Sequence, residues 1–110
     1  MSMMDQPMLV LTNVPDGDVA RSIASTLVEQ RLAACVNCMP NVTSFYRWQG
    51  AVEQATEITL LIKTRKECYA DVEAMIRRLH PYELPEIVGM EIQQGLDAYL
   101  QWIAQETRKG

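Results

Sequence analysis

The sequence of 110 residues is poor in the side chains and motifs that most often reveal an activity. It contains a single histidine, and one histidine cannot build a closed zinc site, which takes four ligands. Its three cysteines are an odd number, which is typical of free thiols in a reducing compartment rather than of a disulfide framework. It also has no glycine-rich phosphate loop, nucleophile elbow or triad signature. We therefore expect a protein that is not an enzyme.

The sequence has neither an excess of basic residues nor a long apolar run. Its net charge is −4, whereas nucleic-acid-binding domains usually carry a basic patch. No apolar run approaches the roughly 18 residues that a membrane helix needs. The first seven residues lack the basic and apolar regions of a signal peptide. These features predict a cytoplasmic protein that binds neither nucleic acid nor a membrane.

The spacing of apolar residues predicts one domain over residues 1–110, in which strands and helices alternate. The predicted strands cover residues 8–14, 32–39, 42–48, 57–64 and 86–93. Pro40 is expected to end the second strand, and Gln49 with Gly50 is expected to form a hairpin turn. The predicted helices begin at Asp16 or Asp18, at a capping box of Thr64 and Glu67, and at Gly95 or Asp97.

This order of elements is that of a ferredoxin-like sandwich of the α+β class, βαββαβ, with an extra C-terminal helix. Two of the helices would cover one face of an antiparallel sheet. The last helix can cover only part of the other face, so we expect a neighbouring subunit to cover the rest. The architecture therefore predicts an oligomer.

Cys35 and Cys38 form a C-x-x-C motif, which in other proteins marks a redox pair or half of a zinc site. Redox pairs of this kind stand at the start of a helix, whereas these two cysteines lie in a predicted strand. Residues three apart in a strand point to opposite faces, so the thiols would neither pair nor share a metal. We interpret them as small buried residues, and Cys68 as part of the apolar stripe of the second helix.

The segment from His80 to Glu86, HPYELPE, is the chemically richest part of the chain. Its two prolines restrict the backbone, so the polar groups between them are held at nearly fixed angles. The only histidine is here, and a lone loop histidine is more often a hydrogen-bonded structural residue than a metal ligand. Glu83 and Glu86 are a candidate acid/base pair, although no nucleophile motif accompanies them. This loop is where we expect function.

Four segments resemble the CutA divalent-cation-tolerance proteins, and together they extend over nearly the whole chain. They are RLAACVN at 31–37, SFYRWQG at 44–50, HPYELPEI at 80–87 and YLQWI at 99–103. The resemblance implies a single CutA-like domain that assembles into a homotrimer and is similar in fold to the PII signalling proteins. It also implies a role in the tolerance of copper and other divalent cations.

The resemblance further implies a copper site built from a cysteine in the first strand and two adjacent histidines before the Pro-Tyr pair. This chain has Thr12 at the cysteine position and Leu79 at one histidine position, so only His80 is kept. A threonine hydroxyl is a poor ligand for soft copper ions. We therefore expect no more than weak binding of copper or another divalent cation, through His80.

The PII-like fold implies an alternative function, a signalling or scaffold trimer whose intersubunit clefts bind a small molecule or a protein partner. The residues that we expect in such a cleft are polar or aromatic and come from segments near the sheet edge. They are Trp48, Lys63, His80, Tyr82, Glu86 and Trp102.

Overall fold

Residues 6–107 are described by a computed structural model, and within them the chain forms four strands, three α-helices and one short 3₁₀ turn. The element bounds are β1 Pro7–Val14, α1 Gly17–Glu29, β2 Cys35–Trp48, β3 Ala51–Arg65, α2 Tyr69–Leu79, β4 Ile87–Glu91 and α3 Asp97–Glu106. Within the same residues, no helix combines the length and the apolar character needed to cross a bilayer.

The four strands form one sheet in the order β2-β3-β1-β4, and every pair of neighbours is antiparallel. This arrangement, with α1 and α2 packed against the sheet, is the predicted ferredoxin-like fold of the α+β class, and the prediction is confirmed. The predicted hairpin turn is also present, because Gln49 and Gly50 join β2 to β3 with φ of 50° and 83°.

The core lies between one face of the sheet and helices α1 and α2. On β1 the alternate residues Val10, Thr12 and Val14 are fully buried, and β3 presents Ile62 and Leu60 beside them. The helices contribute the stripes that the sequence predicts, chiefly Ala20, Ile23, Leu27, Val72 and Ile76. Asp16 begins α1, because its carboxylate accepts a hydrogen bond from the backbone N–H of Val19 at 2.9 Å.

Pro40 does not end the second strand, so this prediction is wrong. The strand β2 continues to Trp48, with a shift in its register against β3 between Met39 and Val42. At this shift, the two residues Pro40 and Asn41 lie opposite a single residue of β3. Asn41 has a φ of 62°. The strand tolerates a proline because it lies at the edge of the sheet and bulges at this point.

The capping box of Thr64 and Glu67 is not formed, and this prediction is wrong as well. Thr64 is the penultimate residue of β3, and its hydroxyl donates to the backbone carbonyl of Leu32 at 2.6 Å. Glu67 instead binds the guanidinium of Arg65. A 3₁₀ turn separates the strand from α2, which begins at Tyr69. A hydrogen bond to a distant part of the chain therefore outcompetes the local cap.

The three cysteines are free thiols. Cys35 and Cys38 pair in β2 with Lys63 and Leu60 of β3, so they point to opposite faces, as predicted. The expectation that both are buried is wrong, because Cys35 is half-buried and Cys38 is exposed on this edge strand. Cys68 is fully buried in the core, and burial raises the pKa of its thiol.

Two arginines hold the end of α3 against the rest of the domain. Arg31 donates from Nη2 to the carbonyl of Gln105 at 2.7 Å and from Nε to that of Glu106 at 3.2 Å. Arg65 donates from Nε to the carbonyl of Thr107 at 2.7 Å. Cationic donors are well placed at the carbonyl end of a helix. As a result α3 lies against β1 and β3.

Candidate functional site

A cleft of about 630 Å³ opens between the loop after α2, the end of β1 and the β2–β3 hairpin. Its walls are Asn13, residues 44–48, Glu57, residues 82–84 and Glu86. The fold brings these segments together because β1 lies next to β3 and the loop leads into β4, the other neighbour of β1. The chemically richest segment of the sequence thus forms one wall of a cavity.

Both ring nitrogens of His80 hold this loop in place, one by a contact with β1 and the other by a hydrogen bond within the loop. The residue is 7% exposed, and its Nε2 lies 2.7 Å from the backbone carbonyl oxygen of Asn13. Its Nδ1 accepts a hydrogen bond from the backbone N–H of Tyr82 at 3.2 Å. This pair of partners places the proton on Nε2. A metal ion could bind the ring only by replacing one of these hydrogen bonds.

Tyr82 connects the loop to the buried end of the cleft. Its ring packs against that of His80 with centroids 4.7 Å apart, and its hydroxyl donates to Glu57 Oε2 at 2.9 Å. Burial, followed by the hydrogen bond and the negative charge of Glu57, raises the pKa of Tyr82 to about 12. The phenol is therefore protonated at neutral pH and serves as a donor to the carboxylate.

Asn13 is the centre of the hydrogen-bond network beneath the cleft. Its Oδ1 accepts from the hydroxyl of Thr59 at 2.5 Å, and its Nδ2 donates to Glu86 Oε1 at 2.8 Å. Its backbone carbonyl is the acceptor for His80. One residue of β1 thereby fixes β3, the loop and the start of β4. The sequence analysis did not select Asn13, although an asparagine near the end of an otherwise apolar strand is a signal for such a role.

Glu57 is a buried carboxylate, 7% exposed, whose partner is the hydroxyl of Tyr82. The sequence analysis did not include it in the site. Among residues 6–107, no lysine or arginine lies within 4.0 Å of the carboxylates of Glu57, Glu83 or Glu86. Three carboxylates therefore line the cleft without an ion pair in the described part of the chain, and Arg47 is the one cationic side chain in its walls.

The residues predicted for a cleft fall into two groups in the structure. Trp48, Tyr82 and Glu86 line the same cavity, and His80 lies directly behind Tyr82. Lys63 and Trp102 are not part of its walls as the structure describes them. The ammonium of Lys63 binds Asn37 and lies 3.9 Å from the sulfur of Cys35, whereas Trp102 packs against Tyr99 on α3 with centroids 5.5 Å apart.

The donor set does not fit a preformed copper site. Thr12 is fully buried in the core, and its hydroxyl has no hydrogen-bond partner among the described residues. Leu79 is half-buried against the core. Within residues 6–107, no group of three or more His, Cys, Asp or Glu side chains is arranged to hold a metal ion. Together with the two occupied nitrogens of His80, this arrangement favours a structural role for the histidine.

Comparison with known proteins identifies relatives over most of the chain. The divalent-cation tolerance protein CutA of Thermus thermophilus is 48% identical over 99 residues, which are 90% of this chain and 96% of that protein. The human protein CutA is 42% identical over 93 residues, which are 84% of this chain and 52% of the human protein. The chain thus spans about half the length of the human relative.

The fold is shared as well. The crystal structure of CutA1 from Oryza sativa superposes with a TM-score of 0.93 at 31% sequence identity, covering 99% of this chain and all of that one. The model of the family described as CutA1 divalent ion tolerance protein matches residues 8–106. Because the match includes both walls of the cleft and every element of the fold but the first residue of β1, this chain belongs to the CutA1 divalent ion tolerance protein family.

Proposed function

We propose that this protein acts as a cytoplasmic homotrimer in the tolerance of divalent cations, and that it does so by binding a small molecule in the cleft. The general role is supported by the name of the family and of its Thermus thermophilus member. The observation that carries the proposal is the network through Asn13, which fixes His80, Thr59 and Glu86 beside a cavity. Polar groups held rigidly at the edge of a partly apolar cavity are typical of a ligand site.

Self-association is supported by the face of the sheet opposite the core. Met39, Val88 and Met90 lie on that face and are 41%, 45% and 49% exposed. They lie on strands β2 and β4, whose outer edges have no neighbouring strand in the described chain. Exposed apolar surface of this kind marks an interaction site. The homotrimer that the resemblance to the CutA proteins implies sets the expected number of subunits at three.

A trimer would place clefts near the boundaries between subunits, as in a signalling or scaffold protein with a PII-like fold. The β2–β3 hairpin, which forms one wall of the cleft, carries exposed Phe45 and Val52 beyond the core. A neighbouring subunit that covers such side chains would also close part of the cavity. Ligand binding and subunit association would then be linked, because each would stabilise the other.

Weak direct binding of copper or another divalent cation is a second candidate, and one observation favours it. Asn13 forms hydrogen bonds with both His80 and Glu86, so an imidazole and a carboxylate both lie next to this residue. If the ring proton moved from Nε2 to Nδ1 and the hydrogen bonds to Asn13 and Tyr82 were given up, a metal ion could bind Nε2 together with the carboxylate of Glu86. Titration of Cu²⁺ and Zn²⁺ into the reduced wild-type protein and the His80→Ala variant tests this candidate. Identical isotherms would eliminate it.

The main proposal is tested by measuring mass and ligand-dependent stability on the same sample. We expect the mass of a trimer by light scattering, and a rise in melting temperature with a ligand of the cleft. A ligand at 100 times its Kd should add about 2.7 kcal/mol to the free energy of unfolding. Cells that carry Asn13→Ala in place of the wild-type protein should grow less well in excess copper. A monomeric protein, or unchanged growth of these cells, would contradict the proposal.

A further inference from the structure

The aromatic side chains of this protein are concentrated around the cleft. The chain has two tryptophans, four tyrosines and one phenylalanine. Four of these seven residues line the cavity, and they come from the end of β2 and from the loop after α2. They are Phe45, Tyr46, Trp48 and Tyr82. Aromatic rings that line a cavity attract cations through the negative charge of their faces.

The charges of the cleft have the complementary sign. Three carboxylates and one guanidinium line it, and the three carboxylates have no ion pair among residues 6–107. Glu57 is the strongest case, because the residue is only 7% exposed and its carboxylate faces the cleft without a counter-charge among the described residues. Its hydrogen bond from Tyr82 is neutral and supplies no such charge. A positively charged ligand would supply it.

The same features disfavour other ligands. The three glutamates and one arginine of the cleft give it an excess of two negative charges. This excess would repel phosphates and nucleotides, which are anionic. Hard divalent cations take about six or more oxygen ligands, and aromatic rings offer none. In addition, Glu86 and Glu57 each have one oxygen already engaged, by Asn13 and Tyr82. The combination of aromatic rings and carboxylates suits a cation with an apolar body.

We propose that the cleft binds a small organic cation, with its ammonium group among the rings of Tyr46, Trp48 and Tyr82 and facing Glu57 and Glu86. This inference rests on the proposed function of the cleft as a small-molecule site, and it names the class of the ligand. Trp48 and Tyr46, which lie on the same face of the β2–β3 pair as Glu57, contact the body of the cation, and the carboxylates select for its charge.

The test compares ammonium compounds with neutral compounds of the same shape, by calorimetric titration into the wild-type protein. Choline is paired with 3,3-dimethylbutan-1-ol, in which carbon replaces the charged nitrogen, and benzylammonium is paired with benzyl alcohol. We expect at least one ammonium compound to bind saturably and about tenfold or more tightly than its neutral partner. Equal affinities within both pairs, or no binding by either ammonium compound, would overturn the inference.

Variants of the lining residues locate the binding in the cleft. Glu57→Gln removes the charge but keeps an acceptor for Tyr82, and it should weaken ammonium binding about tenfold. Glu29→Gln is the matched control, because it makes the same change at an exposed position at the end of α1, outside the walls of the cleft, and it should bind like the wild type. Trp48→Leu should also weaken binding. If Glu57→Gln does not fold, Glu86→Gln takes its place. Unchanged affinity in these lining variants would overturn the inference.

The mass and growth measurements separate this inference from the proposal on which it rests. A trimer that supports growth in copper but prefers neither ammonium compound would contradict the organic cation alone. A monomer that binds choline tightly would contradict the proposed assembly and keep the cleft as a site for organic cations.

Discussion

The Nε2 atom of His80 lies 2.7 Å from the backbone carbonyl oxygen of Asn13, so the first residue of the proline-rich loop is fixed to the end of β1. The other ring nitrogen accepts from the backbone of Tyr82, which fixes the loop itself. With two hydrogen bonds the histidine therefore connects the loop to β1 and holds the backbone of the loop itself. Removing the imidazole should therefore act mainly by changing the shape of the cleft.

The His80→Ala variant should be less stable than the wild type by about 1–3 kcal/mol, because it leaves a backbone carbonyl and a backbone N–H without their partners. Urea unfolding followed by circular dichroism measures this change. Arg77→Ala, at an exposed position in the last turn of α2, is the control and should change stability by no more than about 0.5 kcal/mol. Equal stability of the two variants would show that His80 does not brace the loop.

The hydroxyls of Thr12 and Thr64 are both fully buried but differ in their partners. That of Thr12 has none among the described residues, whereas that of Thr64 donates to Leu32. Thr12→Val should therefore leave stability unchanged or raise it by about 1 kcal/mol, and Thr64→Val should lower it by about 1 kcal/mol. Thermal unfolding of the two variants side by side measures the difference. A loss of stability in Thr12→Val would reveal a partner for its hydroxyl, such as a buried water molecule.

The stability of the protein should decline at high pH through the ionisation of Tyr82. The folded pKa of about 12 lies above the usual value of 10, so the folded state favours the protonated phenol. This contribution is fully present below about pH 10 and is lost as the pH rises through about 12. Tyr82→Phe should remove this part of the decline, as measured by urea unfolding at a series of pH values. Tyr99→Phe, on α3, should keep it.

The exposed apolar residues of β4 should be needed for self-association. Replacing Met90 with lysine places a charge on the uncovered sheet face, and we expect the proposed trimer to dissociate at micromolar concentration. Val28→Lys is the matched control, because Val28 is 42% exposed, close to the 49% of Met90, but lies on α1. Analytical ultracentrifugation measures both masses. A trimer that persists in Met90→Lys would place the subunit contact elsewhere.

The parts of the structure that could be predicted from the sequence are those decided by neighbouring residues. The cap at Asp16 and the apolar stripes of α1 and α2 depend on spacings of three and four residues. The roles of Thr64 and Pro40 depended instead on the tertiary fold. Thr64 binds a carbonyl 32 residues away, and Pro40 is tolerated because β2 lies at the edge of the sheet. Local patterns therefore gave the wrong answer at both positions.

In the candidate site, too, the features decided by neighbouring residues could be predicted and those decided by distant residues could not. The loop from His80 to Glu86 could be identified from its composition, because so much polar chemistry between two prolines is unusual. Asn13 offered only the local signal of an amide near the end of β1, and Glu57 offered none, since each acts through partners far along the chain. The hydrogen bond from Asn13 to Glu86 joins residues 73 positions apart, and no local pattern contains that separation.

The bulge at Pro40 and Asn41 also bears on how far this protein can associate. An edge strand of fourteen residues would otherwise offer a long template for pairing with further chains. A proline has no N–H to donate, and the bulge bends the strand, so a second chain cannot form an unbroken ladder along its length. This edge can form backbone hydrogen bonds with a short strand, but the bulge disfavours the repeated addition of strands from further chains.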